Sequence, residues 1–310
     1  MNTQSNALSE TFDTPRAAPA AMSPLQLLQW SVRRELWENR WIYVGQLSIA
    51  AVFLLGYLVS LHRLPAIMSA LEGRDAMQHR AGIAAPYDIA SAVMMATLIL
   101  MSLFYAADAL YGERRDRSIL FWKSLPVSDA TTVLAKATVL LVVLPLLTFA
   151  VTIALQAAML LANSAALAAN GYRVVSLWGE LGVFQMWGQV FYHLLTAHAL
   201  WPFPVLCWVM LVSGWARRAV LLWAALPVIA ISALEKIVLH TSFFAQIVGL
   251  RLIGGGAPTD ITHGDMMPFG PMTQLTPVRF LCAPGLWVGF LFAAVFLLAA
   301  IRLRRYQGPI

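Results

Sequence analysis

Six long apolar runs, separated by shorter polar stretches, dominate the sequence. A transmembrane helix needs about 20 mostly apolar residues, so each run is long enough for one span. We therefore predict an all-α polytopic membrane protein with six transmembrane helices. Their approximate bounds are 41–61, 89–111, 133–161, 183–212, 216–234 and 286–303. Pro145 predicts a kink in the third span, and Pro202 and Pro204 make the fourth span the least regular.

The region before the first span divides into two parts. Residues 1–22 are small and polar, without the basic start and apolar core of a secretory signal peptide, and they predict a disordered tail. Residues 23–40 predict an amphipathic helix along the membrane interface, because Ser23 and Pro24 form a helix start signal. A simple extension of the first span is the alternative.

This interfacial helix has two predicted faces. One face carries Leu27, Trp30, Arg34 and Trp37. Four charged residues are expected to face the polar surroundings: Arg33, Glu35, Glu38 and Arg40. The residues expected to hold the helix at the interface are Trp30, Arg33, Arg34 and Trp37.

Residues 236–284, before the last span, form the longest connecting segment of the predicted topology. They contain two moderately apolar pieces, "FFAQIVGLRLIGGG" and "PVRFLCAPGLW", which are too short to cross a membrane twice. We predict a re-entrant or external helical hairpin. The last span then opens with Gly285 and Gly289, a G-x-x-x-G spacing that permits close contact between helices.

Composition agrees with a membrane protein. Hydrophobic residues make up 60% of the chain and charged residues only 12%, whereas soluble domains carry about 25% charged residues. The net charge of +6 is explained by basic residues on one side of the membrane rather than by nucleic-acid binding. With the N-terminus inside, the basic residues after even-numbered spans are all cytoplasmic. We therefore expect a multi-pass protein of the cell's inner membrane, with both termini in the cytoplasm.

Motifs for catalysis, cofactors and metals are missing. The sequence contains no Gly-Lys pair and hence no P-loop of the form G-x-x-x-x-G-K-[ST], so the chain carries no ATP site of this type. His193 and His198 are five residues apart and do not match a metal-binding pair on one helix face. Cys207 and Cys282 lack metal-ligand spacing. We expect no enzyme activity and no cofactor or metal held by this chain.

Polar residues within the spans are few. Asp108, Glu235 and Lys236 lie near span ends, which weighs against an ion-coupled secondary transporter without excluding one. Four glutamines line a path or, as we favour, form hydrogen bonds between helices. They are Gln46, Gln156, Gln185 and Gln189.

The densest charge cluster follows the second span, in the segment "YGERRDRSILFWKSLPVSDATTVLAK". It resembles the cytoplasmic turn of ABC-2 type permeases, the membrane subunits of ABC exporters. The resemblance lies in an acid-plus-base cluster, a short helix, a Leu-Pro-Val-Ser turn and a helical lead into the third span. Many family members have Gly where this chain has Arg117, and smaller or leucine-like residues in place of Trp122 and Lys123.

The resemblance implies a permease that works as a dimer, with an identical copy or a paralogue, on separate cytoplasmic ATPase subunits that bind ATP and Mg²⁺. Residues 112–130 would be the coupling helix that contacts the ATPase. The residues assigned to that contact are Glu113, Arg114, Arg115, Asp116, Arg117, Ser118, Ile119, Phe121, Trp122, Lys123, Leu125 and Pro126. We expect the charged residues of this segment to lie at the rim of the ATPase contact or to pair with the interfacial helix, and the apolar residues to enter a cleft of the ATPase.

Three alternatives stay open at this point. The charged turn could contact only lipid headgroups. The protein could be an ion-coupled secondary transporter or a membrane enzyme. It could also be a membrane scaffold that regulates an ATPase without moving a substrate.

Overall fold

The computed structural model describes residues 23–64, 66, 69, 75–124, 127–170, 178–179, 181–253 and 277–308, and their regular secondary structure is helical throughout. The α-helices are α1 (Pro24–Glu38), α2 (Trp41–Ser60), α3 (Ala76–Asp108), α4 (Tyr111–Arg115), α5 (Ile119–Ser124), α6 (Asp129–Thr138), α7 (Leu144–Ala169), α8 (Val183–Leu195), α9 (Phe203–Trp215), α10 (Val220–Leu239), α11 (Phe243–Ile253), α12 (Pro277–Leu281) and α13 (Pro284–Tyr306). The predicted N-terminal tail, Leu125, Pro126 and the middle of the predicted hairpin lie outside these residues.

Among the residues that the structure describes, five helical segments are long and apolar enough to cross a membrane, or six if a bent pair counts as one span. The five run over Trp41–Arg63, Gln78–Arg115, Asp129–Ala169, Val220–Leu239 and Pro284–Tyr306. The helical character predicted from the sequence is thus confirmed for the described residues, and the apolar helices are consistent with a multi-pass membrane protein. The second span begins earlier than predicted, because α3 starts at Ala76 and continues through Pro86. The fifth begins later, at Val220, after a turn in which Ala219 has a φ of 50°.

The third span is continuous from α6 to α7 through a π-helical turn, Val139–Val143. In this turn the amide of Leu144 donates to the carbonyl of Val139, five residues earlier. Pro145 follows directly and has no amide hydrogen to donate. A wide turn before a proline is a known way for a helix to accommodate the missing bond, so the irregularity lies where the sequence predicted it.

The predicted fourth span corresponds to the bent pair. One part runs over Val183–Leu200, including a π-helical turn at Thr196–Leu200, and the other over Phe203–Trp215. The two parts meet at an angle of 45°. The bend coincides with Pro202 and Pro204, as the sequence indicated.

Side-chain hydrogen bonds join the first three spans. Gln46 of α2 donates to Thr148 of α7 at 2.7 Å, and Gln156 of α7 donates to Ser91 of α3 at 2.8 Å. Both glutamines are buried, which confirms the packing interpretation for them. Gln189 is buried too, whereas Gln185 is exposed.

Asn163 of α7 connects the same spans nearer to the other end of α7. It accepts a hydrogen bond from Tyr57 of α2 and donates one to Tyr87 of α3, each at 2.8 Å. The outer surface of the helices is apolar, with Val52, Leu291 and Leu298 each about two-thirds exposed. Such a surface is expected to face lipid.

Candidate functional site

One end of the helix bundle gathers most of the buried charge. We call it the charged end, where α1, α4, α5, α6 and the end of α13 meet. Local signals fix two of these helices. Ser23 and Gln26 form a reciprocal capping box at the start of α1. The Ser128 hydroxyl accepts a hydrogen bond from the Thr131 amide at 3.0 Å and caps α6.

Lys136 of α6 lies at the centre of the charged end and is 3% exposed. Its Nζ is 2.8 and 2.9 Å from the two carboxylate oxygens of Glu35 and 3.1 Å from Oε1 of Glu113. Glu35 is fully buried and also accepts a hydrogen bond from the Tyr105 hydroxyl at 3.1 Å. Lys136 therefore ties the interfacial helix α1 to the short helix α4.

Arg304 of α13 binds the same cluster from the other side. It donates to Oε2 of Glu113 at 2.8 Å and also pairs with Asp129 at the start of α6. Arg34 of α1 completes the cluster, with Nη2 2.8 Å from Glu35 and 3.6 Å from Glu113. We call these six residues the ion-pair cluster: Arg34, Glu35, Glu113, Asp129, Lys136 and Arg304.

The ion-pair cluster contains three acids and three bases, so its formal charges cancel. Charges removed from water are tolerated only when partners compensate them, since each unpaired ion would cost several kcal/mol. Glu38, at the edge of the cluster, is less well compensated. Burial raises the pKa of its carboxyl, and Arg34, 3.6 Å away, partly offsets that rise.

Arg114 is also buried but pairs with carbonyl groups instead of acids. Its Nη1 donates to the carbonyls of Gly214 at 2.7 Å and Ala216 at 3.2 Å, at the end of α9. Its other nitrogens reach the Gln307 side chain at 3.1 Å and the Gly308 carbonyl at 3.3 Å. A cation at a helix C-terminus satisfies carbonyls that have no partner within the helix. Arg114 thus joins α4 to α9 and to the residues after α13.

Helix α5 is attached on one side and exposed on the other. Ile119 is buried, and the Arg34 guanidinium lies 4.0 Å from the centre of the Trp122 ring. Lys123 donates to the carbonyl of Gln307 at 3.0 Å. Leu120 and Phe121 are 59% and 60% exposed, and the Phe121 ring lies edge-on to the Trp122 ring, with 4.8 Å between their centres.

The structure changes the roles expected for several predicted residues. Glu113 and Arg114 are 7% and 4% exposed, so their charges lie inside the chain and not at the rim of a partner contact. Glu35 was expected to face the polar surroundings of the protein. That expectation is wrong, because its carboxylate is fully buried between Lys136 and Arg34. The expected pairing with the interfacial helix is found for Glu113.

The remaining predicted residues of the turn are more exposed. Arg115 and Asp116 pair with each other at 2.9 Å and are more than half exposed. Ser118 donates to the Glu113 carbonyl at 3.4 Å. Arg117 is exposed and has a φ of 56°, the left-handed region that favours glycine.

Helix α1 presents two tryptophans outward. Trp30 and Trp37 are 45% and 64% exposed, and the Arg33 guanidinium lies 5.9 Å from the Trp37 ring centre. Arg34 does not share this face, contrary to the predicted grouping, because it turns inward beside Glu35. The outward side agrees with a helix that lies at a membrane interface.

The predicted helix contact at Gly285 and Gly289 involves α11 in addition to the neighbouring span. A Cβ atom on Gly289 would lie 3.0 Å from Pro204 of α9 and would overlap the guanidinium of Arg251 of α11. A Cβ atom on Gly285 would come within 3.3 Å of the Trp201 ring. The close approach predicted for these glycines is confirmed, although α11 was not expected to take part in it.

The sequence analysis did not identify four members of the ion-pair cluster as candidate site residues: Glu35, Asp129, Lys136 and Arg304. Lys136 gave the best signal, since it stands alone in an otherwise uncharged run from Ala130 onward. Glu35 shares a helix face with Ser31, four residues earlier, and both are buried. Arg304 could not be distinguished in sequence from the neighbouring Arg302 and Arg305.

Within the described residues, no group of three or more His, Cys, Asp or Glu side chains is arranged to hold a metal ion. Cys207 is buried and Cys282 exposed, and neither forms a disulfide. Comparisons with protein-family models, with curated proteins and with solved structures found no match to this chain.

Proposed function

We propose that the chain is the permease subunit of an ATP-driven exporter of the ABC-2 type. It would form a translocation path as a dimer and would be moved by separate cytoplasmic ATPase subunits. The observation that carries the proposal is that α5 is attached to the bundle on one side and exposed on the other. Leu120 and Phe121 are exposed on a short helix whose opposite side is bound to α1 and to the end of α13.

This arrangement suits the transmission of force. A partner that displaces α5 would pull on α1 through the stacking of Arg34 on Trp122. It would also act on α13 through Lys123 and through the bond between Glu113 and Arg304. Because the ion-pair cluster is buried and its charges cancel, its helices are expected to move together and not to slide past each other.

The proposal places the charged end in the cytoplasm. Basic residues outside the ion-pair cluster collect at this end, among them Arg115, Arg217, Arg218, Arg302 and Arg305. The two exposed tryptophans of α1 would then lie at the inner membrane surface. Catalysis would belong to the partner, which would bind ATP and Mg²⁺.

The ion-coupled alternative gains less support from the geometry. Coupling ions are expected to bind at ionisable groups near the middle of the membrane. The charges of the ion-pair cluster belong to short helices or to the ends of long ones, and each of its three acids has a basic partner. These features are typical of a structural junction.

Co-expression with an ABC-type ATPase encoded beside this chain tests the proposal. The double variant Leu120→Ser with Phe121→Ser removes the exposed apolar surface of α5 and leaves the ion-pair cluster intact. We expect about tenfold or greater loss of ATPase affinity and of stimulated ATP hydrolysis, as for central interface residues. Glu113→Ala is a poor probe, because it would disturb the buried cluster.

Phe184→Ser is the matched control, since Phe184 is 86% exposed at the start of α8, far from the charged end. It should bind and stimulate the ATPase like the unmodified chain. The proposal would be rejected if the neighbouring ATPase neither copurified nor responded, or if the α5 double variant behaved like Phe184→Ser.

A further inference from the structure

Helix α11, at the end of the bundle opposite the charged end, is attached to the spans at its start. The carboxylate of Glu235, near the end of α10, accepts hydrogen bonds from the amides of Phe243 and Phe244 at 2.8 and 2.9 Å. It also accepts one from the Thr241 hydroxyl at 2.7 Å. An acid in this position satisfies free amides at a helix N-terminus, so α11 is fixed to α10.

The other end of α11 is attached through Arg251. Its Nε donates to the carbonyl of Trp201 at 2.9 Å, and its Nη2 donates to the carbonyl of Gly285 at 2.6 Å. The guanidinium also stacks 4.5 Å from the centre of the Trp201 ring. One side chain therefore joins α11 to the break in the fourth span and to the start of α13.

The Trp201 carbonyl needs such a donor. In a regular helix it would accept from the Val205 amide, but that amide donates to the Pro202 carbonyl at 2.9 Å. Pro202 and Pro204 have no amide hydrogen, so further carbonyls before the break lose their helical partners. An unpaired carbonyl away from water is costly, and a guanidinium with two parallel donors can satisfy two carbonyls at once.

The two parts of the bent pair contribute to more than one apolar cluster. Val183, at the start of α8, belongs to an apolar cluster with Met159 and Leu167 of α7. Met210 of α9 belongs instead to the larger core that includes Ala300 of α13. Val190 and Leu194, later in α8, belong to this larger core as well. The break itself contributes Ala197 to a third, smaller cluster with Phe280 and Leu286.

We infer that this break is a hinge and that Arg251 is the positioning residue that latches it. By holding the Trp201 and Gly285 carbonyls together, Arg251 keeps the α8 part of the fourth span at its 45° angle to α9. Release of the latch would let α8 and α11 move while the charged end stays unchanged. The inference goes beyond the proposed function and needs no ATPase partner.

Hydrogen–deuterium exchange on the full chain in lipid nanodiscs tests the latch. Arg251→Met removes the donors and keeps the length of the side chain. Arg251→Lys keeps the charge but not the paired donors, and Gly289→Ala displaces the guanidinium without altering it. For all three we expect about tenfold or faster exchange of amides in residues 196–206 and 243–253. Peptides from residues 129–143, near the charged end, should be unaffected.

Two variants of α11 serve as controls. Gln246→Met changes an exposed side chain that bonds only within the helix, and Gly249→Ala adds a methyl group where nothing lies within 4 Å. Both should exchange like the unmodified chain. The latch would be disproved if Arg251→Met matched Gln246→Met, or if its faster exchange extended equally to residues 129–143.

The hinge itself is tested by the distance between spin labels on Phe184→Cys of α8 and Leu298→Cys of α13, both exposed positions. The background carries Cys282→Ser, and the buried Cys207 is retained. We expect a narrow distance distribution that broadens or shifts when Arg251→Met is added. An unchanged distribution would refute the hinge, even if local exchange had increased.

Discussion

Lys136→Met is the most direct test of the ion-pair cluster. Methionine has nearly the length of lysine, so the substitution removes the ammonium group with little change in packing. It leaves Glu35 and Glu113 without the Nζ atom that now lies 2.8–3.1 Å from three of their oxygens. The cluster would then hold three acids and two bases.

The expected cost follows from burial. Lys136 is 3% exposed and Glu35 fully buried, so water cannot replace the lost partner without opening the junction of α1, α4 and α6. Breaking a buried pair from one side costs about 3–5 kcal/mol. Adding Glu35→Gln restores the charge balance, and we expect the double variant to recover about 1–3 kcal/mol relative to the sum of the single variants.

The assay is reversible unfolding in mixed micelles with increasing SDS, followed by far-ultraviolet circular dichroism. Arg115→Met is the control, because Arg115 is 52% exposed and its pair with Asp116 should contribute less than about 1 kcal/mol. The reasoning fails if Lys136→Met costs no more than Arg115→Met. It also fails if the two substitutions in the double variant are simply additive.

Two further predictions use the same unfolding assay. Arg117→Gly should leave the free energy of unfolding unchanged or raise it by up to about 1 kcal/mol, because glycine adopts a φ of 56° without strain. Arg117→Val should lower the free energy of unfolding, because a β-branched residue is strained at this φ. Equal effects of the two substitutions would contradict this interpretation of the turn. Asn163→Leu should lower the free energy of unfolding by about 1–2 kcal/mol, since it removes both 2.8 Å hydrogen bonds, to Tyr57 and to Tyr87. Asn170→Ala removes only an exposed hydrogen bond at the end of α7 and should lower it less. The interpretation is wrong if the order is reversed.

The sequence predicted features that depend on neighbouring residues. The approximate positions of the apolar segments follow from run length, and the start of α1 follows from Ser23 and Pro24. Pro145 and Pro202 marked the irregular turns, because a proline removes a hydrogen bond wherever it stands in a helix. The shift in the start of α3 shows the limit of this reasoning, since Pro86 did not end the helix.

In segment 112–124 the sequence identifies the charged residues but does not show which of them are buried. Its charges and its apolar pair were identified as a unit, but Glu113 and Arg115 have the same appearance in sequence. Glu113 is buried between Lys136 and Arg304, whereas Arg115 is exposed and pairs with Asp116. The difference comes from the helices that pack on α4, not from the segment itself.

By itself, the sequence determined that this chain is helical, that it forms several spans and that a charged turn follows the second. Only the tertiary structure decided which charges are buried together. Glu35 and Lys136 are 101 residues apart, and Glu113 and Arg304 are 191 apart. Hydrophobic run length and capping act over a few residues, whereas the cost of burying a charge depends on which distant partner the packed helices bring within about 3 Å.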